Sequence, residues 1–128
     1  MKKYVLLIDD DETLLELGKE MFDILNIQAL TAFDMDEAVR CFKCQHNNIG
    51  LVIFDLNLDQ VSGIEVFEAL KEIDADFDAV LASGIFIDED APKYIELGFK
   101  EIILKPYNLS TLKQLSEKYF NQDKRVNE

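Results

Sequence analysis

Five short apolar runs, each followed by a stretch of helical period, constrain this chain more than any other feature. They are "YVLLI" at 4–8, "QALTA" at 28–32, "LVIFDL" at 51–56, "DAVLAS" at 78–83 and "EIIL" at 101–104. Short β-branched runs alternating with helix-length segments specify repeated βα units and a parallel sheet. The run at 51–56 is apolar on both faces, which places it centrally, whereas 28–32 reads as a strand nearer an edge.

The intervening segments carry helix signals. Leu14, Leu17, Met21, Phe22 and Leu25 recur at spacings of three and four and predict an inner stripe on a helix over 13–25. Asp34 with Glu37 three residues on has capping-box spacing, and the helix it opens turns Ala38, Cys41, Phe42 and Gln45 inward. A third helix follows Gly63, with Ile64, Phe67, Leu70 and the stem of Lys71 facing the sheet. Pro92 is tolerated in the first turn of a fourth helix that Gly98 ends, and Asn108 or Ser110 caps a fifth built on Leu109, Leu112, Leu115 and Tyr119.

A length of 128 residues suits a single domain. We expect it to span 1–121, followed by a polar tail at 122–128. The formal net charge of -13 and the lack of a basic stripe argue against direct nucleic-acid binding and against an anionic membrane. The apolar runs are far shorter than the roughly 20 residues needed to span a bilayer, and the start lacks the apolar core of a signal peptide. A cytoplasmic location is therefore expected. Cys41 and Cys44 fall inside a helical pattern without further ligands at zinc spacing, so they read as ordinary helix residues, with Cys44 near the surface. His46, the one histidine, reads as a surface residue at a helix end.

In an open parallel α/β sheet, ligands bind at the carboxyl ends of the strands. Here those ends carry Asp9 and Asp10, Asp34, Asp55, Ser83 and Lys105. Adjacent carboxylates repel, so Asp9, Asp10 and Asp11 together call for a cation or a raised pKa. Asp11 suits the dipole of the helix that follows. Phosphoryl transfer to a carboxylate fits the remaining set. Mg²⁺, with Mn²⁺ as an alternative ion, takes oxygen ligands of the kind Asp9 and Asp10 offer. Asp55 is then the nucleophile, Ser83 a hydrogen-bond donor and Lys105 a point charge for the transferred group.

The ordered set "IDDDE", "VIFDLNL", "LASG" and "LKPY" resembles the receiver domain of two-component response regulators, over nearly the whole chain. The resemblance implies a flavodoxin-like, doubly wound five-stranded parallel sheet of order 2-1-3-4-5 with five helices. It implies Asp55 as phosphoacceptor from a histidine kinase or histidine phosphotransfer protein. It further implies a metal site of Asp9, Asp10, Asp55 and the Asn57 backbone carbonyl, Ser83 as switch residue, and Lys105 joined to Pro106 by a cis bond. Such a domain catalyses only its own phosphorylation and dephosphorylation, as a monomer or an activation-dependent homodimer. The wording of its motifs is closer to receivers of hybrid sensor kinases than to those preceding DNA-binding domains, and because 128 residues leave no room for an output domain, a stand-alone receiver or a fragment of a longer chain is expected.

Two positions depart from the family pattern. Ile102 stands where receivers carry a switching aromatic, and Asp59 stands where the loop commonly has proline. Asp59 either joins the metal site through water or slows an anionic donor. These departures define an alternative, a pseudo-receiver that signals without phosphorylation. A haloacid-dehalogenase-like phosphatase also uses a "VIFDLNLD"-like nucleophile motif, but its acidic metal pair follows the lysine, whereas Asp9 and Asp10 precede the nucleophile here. Ile85 and Phe86 are expected to tuck beneath the loop after the fourth strand.

Overall fold

The computed structural model describes residues 2–56, 58, 61–84 and 90–120. Its strands are β1 (Tyr4–Ile8), β2 (Gln28–Ala32), β3 (Ile49–Asp55), β4 (Asp78–Ser83) and β5 (Glu101–Leu104). They form one sheet in the order β2-β1-β3-β4-β5, with every pair parallel. The helices are α1 (Glu12–Ile24), α2 (Met35–Gln45), α3 (Gly63–Ile73), α4 (Ala91–Leu97) and α5 (Leu109–Phe120).

The alternation of side chains along each strand divides the core in two. Leu6, Ile8, Val52, Phe54 and Leu81 face α2, α3 and α4. Val5, Leu7, Leu51, Ile53 and Val80 face α1 and α5. The first layer is aromatic: Phe54 meets Phe67 and Phe99 edge-on at 5.7 Å each, and Phe77 at 6.2 Å. Rings in this geometry attract beyond their area burial, and they clamp the strand immediately before Asp55. The Lys71 ammonium sits 5.2 Å from the Phe67 ring centre, so its stem does lie inward as its spacing predicts.

Local chemistry sets the helix ends. Asp11 accepts from Thr13 N at 3.0 Å and Leu14 N at 3.3 Å, and Asp34 accepts from Glu37 N at 2.8 Å. Glu37 reaches back to Phe33 N, one residue before the cap. Asn108, rather than Ser110, caps α5 by accepting from Thr111 N at 2.8 Å. Gly98 ends α4 at φ 125°, a conformation costly for residues with a β-carbon.

Three features differ from the sequence reading. The fully buried line of α1 is Leu15, Gly18 and Phe22, with Leu14, Met21 and Leu25 packed at its margin. A glycine carries no apolar signature, so the stripe drawn from leucines is rotated by one residue. The third strand begins at Ile49, two residues early, because Asn48 O already accepts from Lys3 N and Tyr4 N. His46 is half-buried rather than a plain surface residue: its Nδ1 lies 2.7 Å from Asp74 Oδ2 and joins the C-terminal ends of α2 and α3. Cys41 is partly buried and Cys44 exposed, both as free thiols, and burial pushes the Cys41 thiol pKa up. Ile85, Phe86 and the tail from residue 121 lie outside the described residues.

Candidate phosphoacceptor site

The carboxyl rim of the sheet gathers the polar residues. Asp9 follows β1, where its N–H donates to Ala32 O at 3.1 Å and its Oδ1 accepts from Asp11 N at 2.9 Å. Asp55 is the last residue of the central strand, and Leu56 N continues the ladder by donating to Ala82 O at 2.9 Å. Ser83 ends β4 and its carbonyl accepts from Lys105 N at 2.8 Å, which carries Lys105 to the same rim beyond β5. The Lys105–Pro106 bond is cis.

Asp9, Asp55 and Ser83 are 0%, 3% and 1% exposed, whereas Asp10 is open to solvent. Burying carboxylates is costly unless they are paired. The Lys105 ammonium supplies that pairing, 3.0 Å from Asp9 Oδ2 and 3.2 Å from Asp55 Oδ1. Burial opposes the ammonium charge, but the hydrogen bond to Asp9 and the charges of Asp9 and Asp55 outweigh it and raise the Lys105 pKa above its ordinary value.

One oxygen from each of Asp9, Asp10 and Asp55 lies within 4.8 Å of the others. Three carboxylates against one ammonium leave an excess of negative charge, and the set offers only oxygen ligands with one member facing solvent. Those properties fit a hard divalent cation such as Mg²⁺. The start of α3 approaches Asp55 so closely that a β-carbon on Gly63 would overlap the Asp55 carbonyl oxygen and lie 3.0 Å from its carbon. Ser62 caps α3 just beyond it by accepting from Glu65 N at 3.3 Å.

The structure thus brings together Asp9, Asp10, Asp55 and Lys105, with Ser83 on the adjoining strand. Ile102 lies partly buried against the aromatic side of the core, and Asn57 and Asp59 lie outside the described residues. Tyr107 is a buried neighbour that the sequence reading did not single out. Its placement after Lys105 and Pro106 was the available signal.

Fold and rim together define a doubly wound α/β domain with an acidic centre at its carboxyl edge. The profile of the response regulator receiver domain matches residues 5–117, and the chain belongs to that family. A receiver domain structure from Clostridium thermocellum superposes with a TM-score of 0.83 at 26% identity, covering 96% of this chain and 98% of that one. Among curated relatives, the transcriptional regulatory protein CrdR of Helicobacter pylori is 27% identical over 96% of this chain and 57% of its own length. The alkaline phosphatase synthesis transcriptional regulatory protein PhoP of Bacillus subtilis is 26% identical over 84% of this chain and 46% of its own. The chain therefore spans about half the length of the curated relatives it matches. It is a signalling domain, and no helix among the described residues is long and apolar enough to cross a membrane. Several relatives are named as transcriptional regulators, so the charge argument against nucleic acid does not extend to a longer protein containing this domain.

Proposed function

We propose that Asp55 accepts a phosphoryl group from a phosphohistidine of a histidine kinase or phosphotransfer protein. The observation that carries this reading is the buried Asp9–Lys105–Asp55 bridge at the end of the central strand. An Asp55 carboxylate oxygen attacks phosphorus as the P–N bond breaks. The bonding pair stays on the imidazole nitrogen, which then takes a proton. Asp9, Asp10, Asp55 and the Asn57 carbonyl would hold Mg²⁺ or Mn²⁺, whose chemistry is to neutralise and align the phosphoryl oxygens.

Lys105, already at the nucleophile, exchanges its contact with the unphosphorylated carboxylate for one with the transferred phosphoryl oxygens. Ser83 donates its hydroxyl to the same group, and its movement shifts a pre-existing equilibrium between two arrangements of the fourth and fifth βα units. Hydrolysis of the P–O bond by water restores the carboxylate, so the domain turns over only its own phosphoryl group. Ile102 in the switch position means that this movement proceeds without a swinging aromatic ring. Our reading keeps 1–121 as the receiver and 122–128 as a tail, places the domain in the cytoplasm, and has it act as a monomer or an activation-dependent homodimer.

Intact-protein mass after incubation with acetyl phosphate tests the reading. A single phosphoryl adduct that is lost with EDTA and in Asp55→Asn is the expected result. No adduct under any condition would favour the pseudo-receiver, with Asp59 and Ile102 as its marks.

A further inference from the structure

Tyr107 is a buried polar group with no part in the chemistry above. It is 3% exposed, and its ring packs in the layer between the sheet, α1 and α5. A β-carbon on Gly18 would stand 3.2 Å from Tyr107 Cδ2, 3.3 Å from Cε2 and 2.8 Å from Leu7 Cδ1, so the glycine lets α1 press against the ring. Phenylalanine would fill that space equally well. The hydroxyl, however, has no hydrogen-bond partner among the described residues, and a buried unpaired hydroxyl carries a desolvation cost that phenylalanine avoids.

The surroundings indicate what such a donor faces. Burial, and then the negative charges of Asp9 and Asp55, hold the Tyr107 pKa far above its ordinary value, so the phenol remains a donor and lies within the field of both carboxylates. Asp9 Oδ1 already accepts from Asp11 N, while Oδ2 depends on the Lys105 ammonium, two residues before Tyr107 in the same turn. A divalent cation would take that ammonium's place at Asp9 and a phosphoryl group would draw the ammonium away, so the Asp9 carboxylate would lose the hydrogen bond from Lys105 and keep a lone pair for another donor.

Resting on the phosphoacceptor reading, we propose that Tyr107 is a positioning residue. Its hydroxyl donates, directly or through one bridging water, to the Asp9 carboxylate when a divalent cation competes with Lys105 for it. Partners behind a metal ligand commonly fix its orientation and change metal affinity by about tenfold or more when removed.

Tyr107→Phe keeps the ring and removes the hydroxyl. Two readouts decide: the thermal midpoint in EDTA, and the Mg²⁺ dissociation constant by calorimetric titration. The expected result is an unchanged or raised midpoint with Mg²⁺ binding weakened by about tenfold. Mg²⁺ affinity within about twofold of wild type would overturn the proposal while leaving the phosphoacceptor reading intact, since losing a hydrogen-bond partner behind a metal ligand costs more than that. A lowered midpoint in EDTA would also overturn it, because the hydroxyl would then be satisfied in the resting fold. Wild-type protein that binds no Mg²⁺ would overturn both.

Discussion

Gly63 and Asp55 are in such close contact that any side chain at 63 would occupy the space of the Asp55 carbonyl oxygen. The start of α3 therefore lies against the Asp55 backbone only because residue 63 lacks a β-carbon. Gly63 N also donates to Leu56 O at 2.9 Å, which closes the turn. The obstacle is backbone, not a side chain that can rotate away. Gly63→Ala should cost about 1–3 kcal/mol in urea unfolding and slow phosphorylation at Asp55 as well. A variant with wild-type stability would show that the turn relaxes freely.

Lys105 neutralises a charge pair that the fold buries. Lys105→Met leaves Asp9 and Asp55 facing each other, and breaking a buried ion pair from one side costs about 3–5 kcal/mol. Adding Asp55→Asn to that variant removes one of the two stranded charges and should recover much of the loss. Denaturation in EDTA checks both changes. Equal stability of the single and double variants would mean that the carboxylates are not coupled through Lys105.

The proposed divalent cation site should be visible as stability. A ligand that binds only the folded state adds about 2.7 kcal/mol at a hundredfold excess over its dissociation constant. Mg²⁺ should therefore raise the thermal midpoint of wild type, and Asp9→Asn should raise the midpoint in EDTA yet abolish most of the Mg²⁺ increment. A Mg²⁺ increment unchanged by Asp9→Asn would place the ion elsewhere.

Asp74 links folding to pH. Its carboxylate accepts from Asp76 N at 3.0 Å and pairs with His46, and these bonds, the backbone one foremost, hold its pKa below the ordinary carboxylate value. A group depressed in the folded state stabilises the fold above its unfolded pKa and loses that contribution as pH falls through the folded value. Asp74→Asn should consequently lower stability at neutral pH, with the difference from wild type shrinking as pH falls below the unfolded carboxylate pKa near 3.8. Urea midpoints from pH 7 down to 3 measure this. A difference that is constant with pH would exclude the linkage.

The end of α5 is tied to β5 through one carboxylate. Tyr119 Oη donates to Glu101 Oε2 at 2.7 Å and Lys118 Nζ donates to the same oxygen at 2.8 Å. Lys118 is more than half exposed, so the tyrosine bond carries most of the effect. Tyr119→Phe should cost about 1 kcal/mol, whereas Lys118→Ala should cost little.

What the sequence reveals about this fold follows the range of the forces involved. β1, β2 and β5 begin and end where their apolar runs do, because strand alternation is local. The rim residues Asp9, Asp55, Ser83 and Lys105 were legible for a related reason: each follows directly on a strand, and topology alone brings strand ends together. Contacts across the chain were not legible. Gly18 against Tyr107, Gly63 against Asp55 and His46 against Asp74 each depend on where two distant segments meet, and neither partner signals the other in the sequence. The aromatic layer around Phe54 is similar: five phenylalanines, at 42, 54, 67, 77 and 99, converge only after three elements and two connecting segments have packed.

Direct chemical assignment of the acceptor tests the central claim most sharply. Protein treated with acetyl phosphate and Mg²⁺ is reduced with borohydride, which converts an aspartyl phosphate to homoserine, and the peptides are then sequenced by mass. Homoserine at position 55 alone, absent when EDTA is present, is the expected result. Homoserine at Asp9 or Asp10, or at no position while wild-type protein binds Mg²⁺, would contradict the assignment of Asp55 as the phosphoacceptor.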